Sequence, residues 1–160
     1  MRWSSSLKSG FAFLILVALH YTLRPLIGTR VSVDFLVIAV LLLAVRVRPA
    51  AAAAIGFATG LITDSLTPLS FGAGALGMSI VGFAASWLKA VFFGDNVLLH
   101  AVFFAAGKWV FDLLYLLVAR IEGGELLAQL FLWSPLSAVL TGLAGLVVVV
   151  VFRLTLETKR

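Results

Sequence analysis

The sequence predicts an all-α membrane protein that crosses the bilayer six times as one bundle of helices. The first observation behind this prediction is composition: hydrophobic residues make up 62% of the 160 residues and charged residues only 12%. A soluble globular domain is typically about 45–50% apolar and about 25% charged, so this chain has too few polar side chains to cover a water-facing surface. The second observation is that its apolar residues form runs of roughly the length, about 20 residues, that a membrane-spanning helix needs.

The first three runs are bounded by charged residues and prolines. The second run lies between Asp34 and Arg46 and is short, so it must use flanking residues or the bilayer must thin locally. Pro49 marks the start of the third run, because proline is tolerated at a helix start but not in its middle. Asp64 closes that run. The expected spans are approximately 10–27, 32–47 and 50–66.

The last three runs begin at a glycine, after a turn signal or at a proline. Gly72 opens the fourth run, and Gly94-Asp95-Asn96 after it is a typical turn sequence. Pro135 begins the sixth run, whereas the apolar stretch from Leu126 to Trp133 is short and is predicted to lie at the membrane interface. The expected spans are approximately 72–93, 97–119 and 135–152. With no linker or repeat between the runs, residues 1–160 are predicted to form one domain.

The distribution of Lys and Arg predicts the orientation of the bundle. An excess of these residues marks the cytoplasmic side of a membrane protein. With the N-terminus inside, the outer segments carry three basic residues, which are Arg24, Arg30 and Arg120. The inner segments carry eight: Arg2, Lys8, Arg46, Arg48, Lys89, Arg153, Lys159 and Arg160. Both termini are therefore predicted to be cytoplasmic.

Several functional classes are disfavoured by the charge pattern of the sequence and by the residues and motifs that it lacks. The net charge of +5 comes from basic residues between apolar runs, which is typical of topology signals and lipid headgroup contacts rather than of nucleic-acid binding. The chain has no Cys, so it has no disulfide and no thiolate metal site. Phosphate-binding, metalloprotease and serine-hydrolase motifs are not found in the sequence. We expect a non-enzymatic protein without a cofactor.

Lys108 and Asp112 form the most conspicuous polar pair. They lie near the middle of the fifth span and four residues apart, so they share one helical face. An unpaired charge there costs roughly 2.5–3.5 kcal/mol on insertion scales, so the two are expected to pair with each other or with polar groups on neighbouring helices. Two interpretations remain open: a substrate, proton or partner site inside the bundle, or a structural ion pair.

A second candidate is a row of small residues that ends in a carboxylate. Gly56, Gly60 and Asp64 follow at four-residue steps and therefore share one face of the third span. Small residues at this spacing allow a second helix to approach closely, either within the chain or from a partner subunit. Asp64 and Asp112 both lie toward the outer ends of their spans, so they are predicted to face one outward cavity.

The two histidines do not suggest a metal site. His20 lies near the outer end of the first span and His100 near the inner end of the fifth. This separation argues against a shared metal ion. Each is predicted to be a polar group at the interface or to bond across helices.

The third span also resembles a known family, the rod shape-determining protein MreD family. That family has a G-F-x-x-G-L-x-x-D pattern in its third span, followed by a glycine-bearing turn. The matching segment reads Gly56-Phe57-Ala58-Thr59-Gly60-Leu61-Ile62-Thr63-Asp64, then Pro68, Gly72, Ala75, Leu76 and Gly77. The opening of the second span, Asp34-Phe35-Leu36, is similar to the family's D-L-x-x segment. The specific match covers about a quarter of the chain; chain length and span number are also similar.

The resemblance implies a scaffold subunit of the bacterial elongation machinery that builds the lateral cell wall. Such proteins lie in the inner membrane, pair with the bitopic protein MreC and connect the cytoplasmic filament with peptidoglycan synthases. The implied fold is similar to the six-helix substrate-binding subunit of energy-coupling vitamin transporters. The implied packing or partner-binding residues are Gly56, Gly60, Asp64, Gly72 and Gly77.

Two other functions compete with this one. The chain could instead be a transporter subunit that binds a small polar solute through Lys108, Asp112 and Asp64. An intramembrane enzyme is the least supported function, because the sequence shows no nucleophile beside a base.

Overall fold

The computed structural model describes residues 3–27, 32–92, 97–119 and 124–157, and all regular structure in these ranges is helical. The helices share apolar faces and pack around one core. Their bounds are α1 Trp3–Ile27, α2 Phe35–Ala44, α3 Pro49–Asp64, a 3₁₀ turn Pro68–Ser70, α4 Ala73–Phe92, α5 Val97–Val118, α6 Gly124–Ala128, a π-helical segment Gln129–Trp133 and α7 Ser134–Glu157.

The short helix α2 is the centre of the bundle. It packs against α1, α3, α4, α5 and α7, and every side chain from Phe35 to Leu41 is buried. Its 10 residues make it about 15 Å long, half of the roughly 30 Å hydrocarbon core of a bilayer. The first residues of α2 therefore lie inside the bundle rather than at its surface.

Helices α3 and α4 pack closely because glycines remove side chains from their contact. A Cβ atom added at Gly56 would meet the backbone of Met78, and one added at Gly60 would meet the backbone of Gly74 and Ala75. At the other end of α4, the Ser86 hydroxyl and the Lys89 ammonium both donate to the Val47 carbonyl, at 2.8 and 3.3 Å. The α2–α3 turn is thus held to the C-terminal part of α4.

Among the described residues, three helices are long and apolar enough to cross a membrane. These stretches are Ala73–Ala90, Leu98–Val118 and Leu126–Val151. Two further apolar helical stretches, Gly10–Leu23 and Phe35–Ala44, are shorter. The prediction of a helical protein with membrane-spanning helices is confirmed at this level.

The last helix differs from the expected span. The sequence places its start at Pro135 and assigns Leu126 to Trp133 to the interface, but α6, the π-helical segment and α7 follow one another without a break. Proline inside a helix removes one donor and clashes with the carbonyl four residues earlier. The wider π turn just before Pro135, with the Ser134 amide donating to the Gln129 carbonyl, relieves this clash.

Some residues used in the sequence argument lie outside the described residues. They are the turn at 94–96 and five of the basic residues that predict orientation: Arg2, Arg30, Arg120, Lys159 and Arg160.

Candidate functional site

Lys108 is the centre of a buried group of charges. Its ammonium is 2.5 Å from the Asp112 carboxylate on the same helix and 3.3 Å from the Asp34 carboxylate at the start of α2. Only 7% of the Lys108 residue is exposed. A buried lysine between two carboxylates is stabilised by both, whereas a lone buried charge is costly. The pairing expected from the sequence is observed, and a second acid joins it.

Asp34 is held in place by the first turn of α2. One of its carboxylate oxygens accepts hydrogen bonds from the backbone amides of Leu36 and Val37, each at 3.2 Å. This is a helix N-cap, which satisfies amides that a buried helix start would leave unpaired. The other carboxylate oxygen remains directed at Lys108. The short helix α2 therefore fixes both the depth and the direction of this carboxylate.

Helix α7 ties the segment before α2 to the bundle. The Asp34 amide donates to the buried Thr141 hydroxyl at 3.1 Å. One turn earlier on α7, the Ser137 hydroxyl donates to the Ser32 carbonyl at 2.6 Å and accepts from the Ser32 amide at 3.2 Å. Two polar residues four apart on an apolar helix thus satisfy the irregular backbone that precedes α2.

His20 extends the group to α1. It is buried, and its Nδ1 atom lies 3.5 Å from the Asp34 carboxylate. His100 is also buried but lies near the other end of α5 and does not line the cavity described next. The histidines are therefore separate, as the sequence indicated. Among the described residues, no group of three His, Asp or Glu side chains is placed to hold a metal ion.

A polar cavity of about 360 Å³ opens beside these charges. Its volume is within the range of small-molecule sites, about 300–1,000 Å³. Its walls come from the end of α1, the start of α2, the end of α3, the start of α4, the middle and end of α5, the π-helical segment and the start of α7, which lie together at one end of the bundle. The polar side chains that line it are His20, Ser32, Asp34, Thr63, Thr67, Lys108, Asp112, Tyr115, Gln129, Ser134 and Ser137.

Ser134 is a buried polar group without a hydrogen-bond partner among the described residues. Only 1% of the residue is exposed, and its hydroxyl makes no hydrogen bond of good geometry among these residues, although it interacts with the Asp112 carboxylate. A buried hydroxyl normally has a partner, so an unmet one in a cavity wall indicates a place for a bound group or water. Ser134 therefore adds a hydrogen-bonding position to the charged wall.

Asp64 does not share this cavity with Asp112, which corrects the prediction from the sequence. It is fully buried, and its two carboxylate oxygens accept from the amides of Gly72, Gly74 and Ala75 at 3.0, 3.0 and 2.8 Å. The carboxylate turns toward these amides because the start of α4 presents several unpaired donors and a positive dipole end. The acid that joins Asp112 at the cavity is Asp34.

Replacing Asp64 by alanine is expected to lower the free energy of unfolding by about 1–3 kcal/mol. The change leaves three amides without their acceptor, two of them buried, and unsatisfied buried groups cost about this much. Thermal denaturation of the purified protein in detergent measures the loss. Thr63→Val is the control, since among the described residues that hydroxyl bonds back to the Thr59 carbonyl of its own helix and to no other group. Equal stability of the two variants would show that Asp64 is not a stabilising cap.

The glycines singled out from the sequence all lie at the contacts of α4. Gly56 and Gly60 face its backbone, and Gly72 has a φ of +95°, a conformation that favours glycine at the turn into α4. A Cβ added at Gly77 would lie 3.1 Å from the Phe111 ring on α5. The Gly56–Gly60 face is therefore occupied by the chain's own helix.

Sequence reasoning did not assign Asp34, Ser137 or Thr141 to the site. Asp34 directly precedes an apolar run, which is a signal of a helix N-cap. Ser137 and Thr141 are four apart in an apolar helix, which places them on one face. Neither of these local signals shows that the three residues lie close to Lys108 and its helix.

No family model, curated protein or solved structure matches the chain. The functional argument below therefore depends on the sequence motif and on the geometry just described.

Proposed function

We propose that this protein is a non-enzymatic scaffold of the bacterial cell-elongation machinery, in the manner of the MreD family. It pairs with an MreC-like bitopic partner in the inner membrane and supports lateral peptidoglycan synthesis by bringing synthases to that complex. The proposal starts from the sequence motif in the third span, and the geometry of that motif supports it.

The supporting observation is that the motif residues together hold helices α3 and α4 in close contact. Gly56 and Gly60 let the backbone of α4 approach α3, and Asp64 at the end of α3 binds the amides that begin α4. Gly72 provides the turn between the two helices. The motif thus combines close packing of two helices with capping of the second one.

The proposal includes six membrane spans with both termini in the cytoplasm. Three crossings come from the long apolar helices, and α1, α2 and α3 provide one each. The short helix α2 is shielded from lipid by its neighbours. Arg46 and Arg48, both exposed, lie between α2 and α3 on the side away from the cavity. In this orientation the basic turn faces the cytoplasm and the cavity faces outward.

Co-purification tests the scaffold function. We expect the tagged chain to co-purify with the bitopic coiled-coil protein of the same cell, and its depletion to convert rod-shaped cells to round ones. Asp112→Asn should retain both the partner and the cell shape, because a scaffold acts through helix surfaces and not through the cavity. A folded protein that binds no bitopic partner, or depleted cells that stay rod-shaped, would contradict the proposal.

The partner helix is expected on a face other than that of Gly56 and Gly60. Those glycines already contact α4, so loss of the partner in a Gly60→Leu variant would report on the fold of this chain. Exposed apolar side chains on α4 and α7 are available to lipid or to a partner helix; they include Ile80, Phe83, Trp87, Leu136, Val139 and Leu143.

The cavity favours a second candidate, a membrane subunit that binds a small polar solute. Its volume and its convergent polar groups are typical of ligand sites, and the implied likeness to a vitamin-transporter subunit agrees with this role. Lys108 and Asp112 would contact the solute, whereas Asp64 would not, because its oxygens are already bonded. A ligand that binds the folded state raises the unfolding temperature, so thermal denaturation with added solutes tests this function.

A further inference from the structure

We propose that a groove between α4 and α5 binds one acyl chain of an acidic phospholipid, whose phosphate lies against Lys89 and Arg48. The inference is independent of both functions above, because it concerns the end of the bundle opposite the polar cavity. It follows from the shape of the groove, from the basic side chains at its end and from the position of Trp87.

The groove is apolar and has Leu41 of the buried helix α2 at its base. Its volume is about 120 Å³. Small residues keep it open, and these are Ala84, Ala85, Ala106 and Gly107. Leu88 and Val110 also line the groove and are exposed. Because both flanking stretches belong to helices that are long and apolar enough to cross a membrane, the groove opens toward lipid.

The dimensions of the groove fit a single hydrocarbon chain better than a helix. Its lining extends from Val81 to Leu88 on α4 and from Phe103 to Val110 on α5. Each stretch is about 10 Å long, and a helix with side chains is about 10–12 Å in diameter, so a helix of that length needs several times the volume of the groove. An acyl chain is narrow enough to enter and gains van der Waals contacts with both walls and the base.

The groove ends beside a basic turn. Lys89 directly follows Leu88, and its ammonium donates to the Val47 carbonyl at 3.3 Å. That carbonyl belongs to the peptide unit that leads into Arg48, whose side chain is exposed. An ammonium has three donors, of which Lys89 uses one within the described part of the chain. Lys89 and Arg48 therefore lie within reach of the same phosphate, a group that both side-chain types bind.

Negative charge is concentrated at the other end of the bundle. The acidic residues whose side chains the structure describes are Asp34, Asp64 and Asp112, and all three lie at the cavity end. Among those side chains, no carboxylate neighbours the basic turn. Acidic lipid headgroups are attracted to basic side chains at a membrane surface, so an acidic phospholipid complements this end better than a zwitterionic one.

Trp87 indicates that the basic turn lies at the depth of the lipid headgroups. Its side chain is 73% exposed, and it is two residues before Lys89. Exposed tryptophans on membrane helices are typical of the membrane–water interface. The groove, which runs from Leu88 to Val81, then extends from headgroup level into the hydrocarbon region. One lipid molecule would thus place its phosphate at the turn and a chain in the groove.

Lipid competition tests the inference on the wild-type protein. Native mass spectrometry in detergent, with equal amounts of phosphatidylglycerol and phosphatidylcholine that carry the same chains, measures which lipid stays bound. We expect phosphatidylglycerol to be preferred by about fivefold or more. Inorganic phosphate at the lipid concentration should not displace it, because phosphate has no chain for the groove. Equal binding of the two lipids, or displacement by phosphate, would overturn the inference.

Two variants test the headgroup contact and the chain contact separately. Lys89→Gln retains a donor for the Val47 carbonyl but removes the charge, so phosphatidylglycerol binding should fall about fivefold. Arg24→Gln removes the same charge in the cavity-end part of α1 and should bind as the wild type does. Ala84→Leu fills the groove and should lower the binding of both lipids. Its control is Val139→Leu, at an exposed position of α7.

Circular dichroism checks that each variant is folded, and Ala106→Leu repeats the groove test from the α5 side. Undiminished phosphatidylglycerol binding by a folded Lys89→Gln would overturn the headgroup contact. The same result for the folded groove variants would overturn the chain contact. If those variants keep the lipid preference but lose a co-purifying membrane protein, a partner helix occupies the groove and the inference is wrong.

Discussion

Replacing Gly60 by leucine is expected to destabilise the protein by about 3 kcal/mol or more. An added side chain at Gly60 points at the backbone of Gly74 and Ala75, which cannot move aside as a flexible side chain can. Helices α3 and α4 would have to separate, and the Asp64 cap on α4 would be lost with them. Gly60→Ala should show a smaller loss of about 1–3 kcal/mol, because its single methyl group meets the same atoms.

Unfolding in detergent, followed by circular dichroism, measures these losses. Gly10→Ala is the control, since Gly10 lies in α1 and an added Cβ there meets nothing within 4 Å. It should be neutral or slightly stabilising, by up to about 1 kcal/mol, because alanine favours helix over glycine. If Gly60→Ala were as stable as Gly10→Ala, the close contact of α3 and α4 would be disproved.

Replacing Lys108 by methionine is expected to cost about 3–5 kcal/mol. The change removes the ammonium that Asp34 and Asp112 share, and leaves both carboxylates in the bundle without it. Methionine has a similar length, so the loss reports mainly on charge and not on an empty volume. Lys89→Met is the matched control: within the described part of the chain its ammonium makes one hydrogen bond, to the Val47 carbonyl, and the expected cost is about 1 kcal/mol or less.

A double-mutant cycle separates the ion network from simple packing. Adding Asp112→Asn to Lys108→Met removes one of the two carboxylates that have lost the shared ammonium, so the double variant should be more stable than Lys108→Met alone. The remaining carboxylate of Asp34 keeps its two backbone donors in α2. Additive losses in the cycle would show that Lys108 and Asp112 do not interact energetically.

The sequence could predict features that depend on local pattern. The composition and the apolar runs predict membrane helices, and the four-residue spacing of Lys108 and Asp112 predicts their pairing, because one turn of helix brings such residues together. The same spacing places Gly56, Gly60 and Asp64 on one face. The sequence could not show whether this face packs against α4 or against a helix of a partner subunit, because small residues allow close approach in both cases.

The prediction of a cavity shared by Asp64 and Asp112 failed for a physical reason. The sequence shows both acids toward the outer ends of their helices, but not which donors each will find. Asp64 lies at the end of α3, where the first amides of α4 are within reach and need an acceptor. A carboxylate with three such bonds has no reason to face a cavity.

The sequence alone determined the membrane character, the helical class and the pair of charges in the fifth span. Each of these follows from the pattern of residues that are close together along the chain. Only the tertiary structure decided that Asp34 completes the site. The short helix α2 buries its own start, and Ser137 and Thr141 on α7 hold the preceding backbone in place. These contacts join residues more than 100 positions apart, so the geometry of packing, and not any local pattern, brings the second carboxylate to Lys108.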